Sequence, residues 1–409
     1  MTSTAAPVRA RRLLPADPLL RRLVLMSLVN TVGNGLFYTV SVLYFTRSIG
    51  LTPGQVALGL TAAGVCGMCA GVPMGRLADR VGSRRLLLVV GPLEAVAVLG
   101  YALVDSWAGF VALACVATVL ERGAVAVRSA LIARVLPAED QVRSRALLRS
   151  VMNAGLVVGG AGAAFALQAD TYAGYVTVMV LDAVSFLGAA ALLVGLPVAE
   201  GGSTGKARPG RRTALADRRF LTVTALHAVL ELQFAMLEIG IPLWIALHTG
   251  APRALIAAVG GVNCLVVVLF QVRASRGVTD VRSAARACAR GGVLLAVACL
   301  VYAAAGGRSA LVASVVMLAG VLLHSLAELL TSAGGWTLSL DLAQPERHGE
   351  YQGVFMSGQA ASHVIGPLVV TATALGHGVA GWALLGGIMA FGGLAMPAVA
   401  RRKEAPTRG

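Results

Sequence analysis

Charged residues are scarce in this sequence, and acidic residues are the scarcer kind. Only 13% of the 409 residues are charged, with 19 acidic against 34 basic side chains, while 57% are hydrophobic. A typical soluble domain has about 25% charged residues, and the mean hydropathy of +0.79 points the same way. The composition therefore predicts an integral protein of the lipid bilayer.

The basic excess does not indicate a nucleic-acid-binding protein. The net charge is +15, but the basic residues fall in short clusters separated by apolar runs of about twenty residues. Such clusters set the orientation of membrane spans. We therefore expect lipid, and no nucleic acid, as a partner.

Motifs for chemistry are also missing. The six cysteines are scattered in or beside apolar runs, so a metal or redox site is not expected, even at Cys66 and Cys69. No Walker sequence or phosphate-binding loop occurs, so ATP is not the direct energy source. Without a convergent nucleophile or metal cluster, the sequence predicts neither an enzyme nor a cofactor.

What the sequence does contain is a series of long apolar runs. Twelve are long enough to cross about 30 Å of hydrocarbon, which predicts an all-α polytopic membrane protein with twelve spans. The tenth run is overlong, and its C-terminal end is expected to become interfacial near Trp336. The runs cover residues 23–46, 53–75, 85–105, 108–133, 145–169, 173–197, 219–247, 252–272, 287–306, 309–340, 350–376 and 378–400.

Lysine and arginine alternate by connection, as an even number of spans requires. With both termini inside the cell, 29 of the 34 basic residues fall on the cytoplasmic side. The opposite side holds only Arg47, Arg253 and Arg308, and Arg122 and Arg128 lie within helix 4. The expected location is the cell inner (plasma) membrane, with both termini cytoplasmic.

A Gly-rich basic segment, EGGSTGKARPGRRTALADRR, divides the chain into six spans and six spans. The Arg-rich start is expected to be a tail rather than a signal peptide, because no small-residue cleavage site follows it. The predicted domains are a cytoplasmic tail (1–22), an N-terminal six-helix bundle (23–197), a cytoplasmic linker (198–218), a C-terminal six-helix bundle (219–400) and a second cytoplasmic tail (401–409).

The segment GRLADRVGSRR lies between the second and third spans. Five charges cannot lie in hydrocarbon, so the segment is expected to form a tight aqueous turn. It resembles the signature loop of the major facilitator superfamily of secondary transporters. The residues that carry the resemblance are Gly75, Asp79, Arg80, Gly82 and Arg84.

Two further segments support this resemblance. RASRGVTDVR, between helices 8 and 9, is similar to a degraded second copy of the loop, with Arg276, Gly277 and Asp280. LDLAQPERHGEYQGVF, before helix 11, resembles bacterial multidrug and antibiotic exporters of the proton antiporter type. Its charged residues are Asp341, Glu346, Arg347 and Glu350.

The resemblance implies two pseudo-symmetric bundles around a midplane substrate site, with alternating access. It implies that helices 1, 4, 7 and 10 line the cavity, while helices 3, 6, 9 and 12 are peripheral. It also implies that Asp79 and Arg80 control conformation through the start of helix 11. A carboxylate near that helix N-terminus is favourable because of the helix dipole.

Polar residues within the spans are concentrated in the four helices that the resemblance assigns to the cavity. An ionisable residue in a span usually faces the bundle interior and marks a pathway. Glu94 in helix 3 and Asp182 in helix 6 do not fit this distribution. The expected coupling or cavity residues are Asn30, Asn34, Tyr38, Arg122, His227, Glu231, Glu238, His324 and Glu328.

The carboxylates suggest proton coupling. A carboxylate in a low-dielectric cavity can take up a proton near neutral pH and release it when a cation or water arrives. The alternative is that Glu231, Glu238 and Glu328 pair with basic groups only to hold the halves together. For His227 and His324 a hydrogen-bonded structural role is the alternative.

Arg122 lies near the middle of helix 4 and needs a partner there. Its context, LERGAVAVR, loosely resembles the superfamily's helix-4 motif, in which a buried arginine is tied to proton transfer. Glu121 is about 100° round the helix from it. The two side chains are therefore not expected to point into the same place.

The favoured function is proton-coupled export of amphipathic small molecules, such as drugs, antibiotics or secondary metabolites. A largely apolar cavity with acids inside it suits lipophilic solutes, cationic ones among them. The alternative is an importer or symporter of a nutrient, whose cavity would be rich in amide and aromatic groups. Only 5% of the residues are aromatic. The architecture is complete in one chain, so a monomer is expected to be functional.

Overall fold

The structure, a computed structural model, describes residues 17–136, 138–169, 171–195, 213–344 and 347–400. Several predicted segments lie outside the described residues. They are most of the N-terminal tail, the C-terminal tail, residues 198–212 of the linker, and Glu346. The described part of the chain is all-α, and twelve of its helices are long and apolar enough to cross a membrane. The predicted fold class and number of spans are confirmed.

The twelve helices follow the predicted apolar runs, and several begin at a side-chain cap. Thr52 and Gln55 form a reciprocal capping box at the start of the second helix. Other helices begin at a residue whose side chain accepts a hydrogen bond from a backbone N–H of the first turn. Among these residues are Ser106, Thr171, Asp217 and Asp280. The helices are α1 (Pro18–Leu43), α2 (Pro53–Val81), α3 (Ser83–Gly100), α4 (Trp107–Val135), α5 (Ala138–Ala169), α6 (Tyr172–Leu193), α7 (Arg218–His248), α8 (Ala254–Ser275), α9 (Val281–Ala304), α10 (Ala310–Asp341), α11 (His348–Leu375) and α12 (Gly378–Ala400).

The turn between α2 and α3 is shorter than the sequence analysis predicts. α2 continues through Arg80 to Val81 and α3 begins at Ser83, so that only Gly82 separates them. Gly82 has φ +99°, a conformation that residues with a Cβ rarely adopt. The charges of GRLADRVGSRR therefore lie on helical turns, because a helix end can project its long side chains into water.

α10 continues as one helix to Asp341, close to the predicted run, and Trp336 lines an internal cavity. α9 begins at Val281, six residues earlier than predicted, because Asp280 caps it. Polar side chains at these helix ends mask the hydropathy signal without stopping the helix.

Apolar packing separates the chain into two parts. The largest buried cluster takes all of its residues from position 223 onward, around Trp244, Tyr302 and Trp382. Two other clusters take theirs from α1 to α6 and the short segments between them. α2 and α4 contact α11, and α5 contacts α8, so these pairs join the N-terminal helices to the C-terminal ones.

Candidate functional site

A cavity of about 570 Å³ lies between the N-terminal and C-terminal helices. Eight helices provide most of its wall, namely α1, α2, α4, α5, α7, α8, α10 and α11. We call the end with the α2–α3, α4–α5, α8–α9 and α10–α11 connections the basic end. Side chains near it, such as Arg145 and Gln352, are buried, whereas Tyr38, Glu238 and His363 on the far side are exposed. The cavity is therefore closed at the basic end and open at the other.

Glycines permit the closure between α2 and α11. Gly71 and Gly75 lie four residues apart on α2, as Gly349 and Gly353 do on α11. A Cβ at any of the four would overlap a backbone oxygen of the opposing helix. The two backbones are thus in direct contact, as small residues at this spacing allow.

Asp79 fixes this crossing by binding the start of α11. Its Oδ1 accepts a hydrogen bond from the Gly349 N–H, and its Oδ2 accepts one from the Glu350 N–H, each at 2.9 Å. Arg134 of α4 forms an ion pair with the same carboxylate. Arg76 Nη2 lies 3.0 Å from Glu350 Oε1 and adds a second charged contact between α2 and α11.

The other residues of the signature segment have separate positions. Arg84 Nε donates to the Leu193 carbonyl oxygen at 2.9 Å and so joins α3 to α6. Arg80 is exposed and makes no hydrogen bond or ion pair with α11 in the described part of the chain. The basic partner of Asp79 is Arg134, which the sequence pattern did not identify because it lies 55 positions away.

Glu328 of α10 contacts side chains of α5 and α8 in the cavity. Its Oε1 lies 3.4 Å from Arg149 Nη2 of α5, and its Oε2 accepts a hydrogen bond from Asn263 Nδ2 of α8 at 2.9 Å. Its side chain is only 2% exposed. The ion pair with Arg149 therefore joins the two parts of the chain across the cavity.

Glu231 of α7 also lines the cavity and is buried. Its Oε1 lies 3.7 Å from His227 Nε2, and Gln359 of α11 hydrogen-bonds to its carboxylate. Arg149 and Glu328 act on it electrostatically. Glu231 and Glu328 thus share one basic neighbour.

The two histidines do not line the cavity, contrary to expectation. His227 packs against Gly335 of α10, and its Nε2 lies 3.3 Å from the Thr331 carbonyl oxygen. His324 is fully buried beside Tyr302, with a ring separation of 6.4 Å, and neither of its ring nitrogens has a described partner. Both rings belong to the interior of the C-terminal helices.

The predicted polar face of α1 lines the cavity through Asn30, Asn34 and Tyr38. The Tyr38 hydroxyl donates to Glu121 Oε1 of α4 at 2.7 Å. Glu121 and Arg122 both line the cavity, although they were expected to point to different places. The cavity is wide enough to border more than one face of α4.

Two arginines of α5, which the sequence analysis counted among the basic residues of the cytoplasmic side, lie in the cavity wall. Arg145 Nη2 donates to the Ser129 carbonyl oxygen and to Gln352 Oε1, both at 3.1 Å. Arg149 pairs with Glu328, and its guanidinium carbon lies 5.1 Å from the centre of the Phe234 ring. Their four-residue spacing on one helix face was the available signal, since α5 starts before both of them.

The two acids outside helices 1, 4, 7 and 10, Glu94 and Asp182, lie in different surroundings. Glu94 of α3 lines the cavity, so α3 is not entirely peripheral. Asp182 of α6 is buried and accepts a hydrogen bond from Ser185 Oγ at 3.3 Å, facing Gly33 of α1. Glu94 therefore belongs to the cavity, and Asp182 to packing among the N-terminal helices.

The profile described as the Major Facilitator Superfamily matches residues 23–367. No curated protein matches the sequence significantly. Among similar solved structures, the human organic anion transporter MFSD10 (TETRAN) is 17% identical with a TM-score of 0.68, over 93% of this chain and 100% of that one. A bacterial homologue of the iron transporter ferroportin in outward-facing state is 16% identical with a TM-score of 0.71, over 94% and 98%.

A third similar structure is the proton:xylose symporter XylE bound to 6-bromo-6-deoxy-D-glucose. It is 16% identical with a TM-score of 0.68, over 92% of this chain and 94% of that one. At such identities the likeness concerns the fold alone.

Proposed function

The chain belongs to the major facilitator superfamily of secondary transporters, and from that premise we propose that it exports amphipathic small molecules in exchange for protons. The two bundles, residues 23–197 and 219–400, alternate between states that open the cavity at one end or the other. The basic end lies in the cytoplasm, because lysine and arginine are enriched there. The closed contact between α2 and α11 then corresponds to an outward-facing state.

The observation that carries the proposal is the Arg149–Glu328 ion pair. It joins α5 to α10 across the cavity, and Glu328 is buried while Arg149 remains partly exposed. Uptake of a proton by Glu328 removes one of the two charges and weakens the link between the bundles. Because Glu231 shares Arg149 as a neighbour, the proton can be held by either acid of one coupled pair.

The lining of the cavity supports an amphipathic solute. Apolar side chains from both parts of the chain lie beside the charges, and this mixture suits a molecule with an apolar body and polar ends. The apolar lining residues include Leu148, Met152, Leu156, Val157, Phe234, Leu237 and Met356. A purely hydrophilic ion would leave these side chains in contact with water.

A proton symporter of a polar nutrient is the second candidate. Several amides line the cavity and offer both donors and acceptors for hydroxyl groups. They are Asn30, Asn34, Asn153, Asn263 and Gln359. Both candidates use the inward proton gradient of the cell, but the exporter moves the solute outward and the symporter moves it inward.

Both candidates place the protein in the cell inner (plasma) membrane, with both termini cytoplasmic. One chain contains both bundles and the cavity between them, so we propose that the monomer is the working unit. Small-molecule solute, protons and lipid are then its partners.

Uptake of fluorescent amphipathic probes into everted membrane vesicles tests the direction and the coupling. With an exporter, an acidic vesicle interior drives probe uptake, and Glu231→Gln or Glu328→Gln abolishes that dependence. Asp105→Asn, at an exposed position outside the cavity, is the matched control and retains it. Uptake driven only by an acidic exterior would instead indicate the symporter, and transport indifferent to either gradient would contradict proton coupling.

A further inference from the structure

The charges that line the cavity are divided unequally between its two walls. The wall formed by α3, α4 and α5 carries four arginines and two glutamates, which are Arg122, Arg128, Arg145, Arg149, Glu94 and Glu121. The opposite wall carries three glutamates, Glu231, Glu238 and Glu328. No arginine or lysine is among its described lining residues. With all groups ionised, a wall with two excess positive charges faces one with three negative charges.

Arg122 is the cation of this cavity that the protein leaves without a direct partner. It makes no hydrogen bond, and no ion pair within 4 Å, with any described residue. By contrast, Arg149 pairs with Glu328, and Arg145 donates to Ser129 and Gln352. Arg128 also lacks a close pair, but Glu94 and Glu121 act on it electrostatically from its own wall, whereas Arg122 interacts electrostatically with Glu238 of the opposite wall.

The side-chain stem of Arg122 packs beside Gly67 of α2. An added Cβ at Gly67 would lie 2.7 Å from Thr118 Cγ2 and 3.1 Å from Arg122 Cγ. Glycine at this position thus leaves room for both side chains of α4. The Arg122 guanidinium faces the open cavity and has Glu238 as an electrostatic neighbour but no direct counter-ion, so an anionic group of a solute can bind it directly.

An aromatic surface lies near Arg122 on the opposite wall. The rings of Phe234 (α7) and His363 (α11) stack with centres 5.9 Å apart and an angle of 18°. Arg149 lies over the Phe234 ring, and both Arg122 and Arg149 act electrostatically on His363 and on Glu238. Because the Arg149 guanidinium covers one face of Phe234, a flat apolar body can lie against the exposed His363 ring and the remaining surface of Phe234 while its end group binds Arg122.

We propose that the exported solute is an amphipathic zwitterion whose anionic group binds Arg122. Its apolar body lies on Phe234 and His363, and its cationic group faces the glutamates of α7 and α10. This inference rests on the export function proposed above, at the same cavity. A solute with only a cation would leave Arg122 unpaired, and one with only an anion would meet three carboxylates.

The same arrangement keeps exchange with protons possible. The cationic group of the solute and a proton compete for the glutamates of α7 and α10, so the two are not bound there together. The anionic group binds a different wall and does not enter this competition. Arg122 therefore selects the solute, while Glu231 and Glu328 couple it to the proton.

The test uses two fluorescent probes that differ in one group. Rhodamine 110 carries a free carboxylate beside its cationic ring system, and rhodamine 123 is its methyl ester. Binding to the purified full-length protein is followed by fluorescence polarisation. We expect rhodamine 110 to bind on the order of tenfold more tightly, as a charge-assisted hydrogen bond to the carboxylate implies.

Arg122→Gln is expected to remove this preference by weakening rhodamine 110 alone, and Arg122→Lys to retain part of it. Unchanged binding of rhodamine 123 shows that the variant is folded. Arg290→Gln, on an exposed face of α9, is the matched control and leaves both affinities unchanged. Equal affinity of the two probes for the unmodified protein, or an equal loss of both in Arg122→Gln, would overturn the proposal.

Uptake into everted vesicles separates this inference from the proposed function. Arg122-dependent binding of rhodamine 110 without any uptake driven by a pH gradient would contradict export, but would support the zwitterion site. Gradient-driven uptake of rhodamine 123, with no preference for rhodamine 110, would overturn the zwitterion site and leave export standing.

Discussion

Asp79 of α2 caps the N-terminus of α11, with its Oδ1 2.9 Å from the backbone nitrogen of Gly349. Asp280 makes the same kind of contact within its own helix, accepting the Ser283 N–H at 2.6 Å. Hydrogen bonds from Ser283 lower the pKa of Asp280, which keeps that carboxylate charged. One aspartate therefore joins two parts of the chain, and the other stabilises only the start of α9.

Asp79→Asn is expected to weaken closure at the basic end. The substitution removes the charge and replaces one acceptor oxygen with a donor group that faces another N–H. Each lost charge-assisted hydrogen bond costs about 1.5–3 kcal/mol, so the closed population should fall at least about tenfold relative to the open one. Distances between spin labels on α2 and α11, measured by pulsed electron resonance, report this change.

Asp280→Asn is the control for this measurement, because it makes the same chemical change at another helix cap without touching the contact between α2 and α11. Its label distances should match those of the unmodified protein. An unchanged distance distribution in Asp79→Asn would show that the cap of α11 does not hold the closed state.

Gly75→Ala is expected to open the same contact by a steric route. A Cβ at this position overlaps the Gly349 carbonyl oxygen, and backbone cannot move aside as a flexible side chain can. Overpacking of this kind costs about 1–3 kcal/mol. A cysteine introduced at Ser357, in a cysteine-free background, should then react faster with a maleimide added at the basic end.

Gly54→Ala, on the same helix, is the matched control, because a Cβ there meets no atom within 4 Å. It should leave the reaction rate at Ser357→Cys unchanged. Equal rates in the Gly54→Ala and Gly75→Ala variants would contradict direct backbone contact between α2 and α11.

The Arg149–Glu328 pair should show strong coupling in a double-mutant cycle. Arg149→Gln leaves a buried carboxylate unpaired and should be the most destabilising change, whereas Glu328→Gln leaves the partly exposed arginine in contact with water and Phe234. Removing one partner of a fully buried pair costs about 3–5 kcal/mol, and a smaller loss is expected here because Arg149 is 31% exposed. The double variant should recover part of that loss, as measured by thermal unfolding in detergent.

Additive effects of the two substitutions would mean that the pair does not act as a unit. Such a result would also remove the link between α5 and α10 on which the proposed proton coupling depends.

His324 should affect stability without affecting the pH dependence of transport. Both ring nitrogens are buried without a described partner, so His324→Phe removes the cost of an unsatisfied polar group, about 1–3 kcal/mol. Thermal unfolding should therefore shift upward or remain unchanged, and the pH profile of probe transport should match that of the unmodified protein. An altered pH profile would give the buried imidazole a role in proton transfer.

The signature segment and the acids of α7 and α10 were recognisable from the sequence, but their contacts were not. Asp79 could be assigned to the start of α11 through the family resemblance, while its pairing with Arg134 required the packing of α4 against α2. Likewise, Glu328 was selected as an intramembrane acid, but its partner Arg149 was counted only among the basic residues of the cytoplasmic side.

Rotation of each helix about its axis explains the remaining errors. His227 and Glu231 are four residues apart and share a face of α7, yet only Glu231 lines the cavity. A rotation of the helix by a few tens of degrees about its axis decides which of two such neighbours faces the cavity. The sequence of one helix does not determine that rotation, because it depends on the neighbouring helices. The same uncertainty separated Glu121 from Arg122, which both line the cavity.

The sequence by itself determined the twelve spans and their all-α character, because the length of an apolar run and the need to satisfy every backbone group in lipid are properties of each segment alone. The tertiary structure decided which charges meet. Arg149 pairs with Glu328 although the two residues are 179 positions apart in the chain, because an ion pair between two spans depends on where both helices lie. Arg122 is left facing the cavity for the same reason. Only the packing of the two parts of the chain against each other fixes those positions.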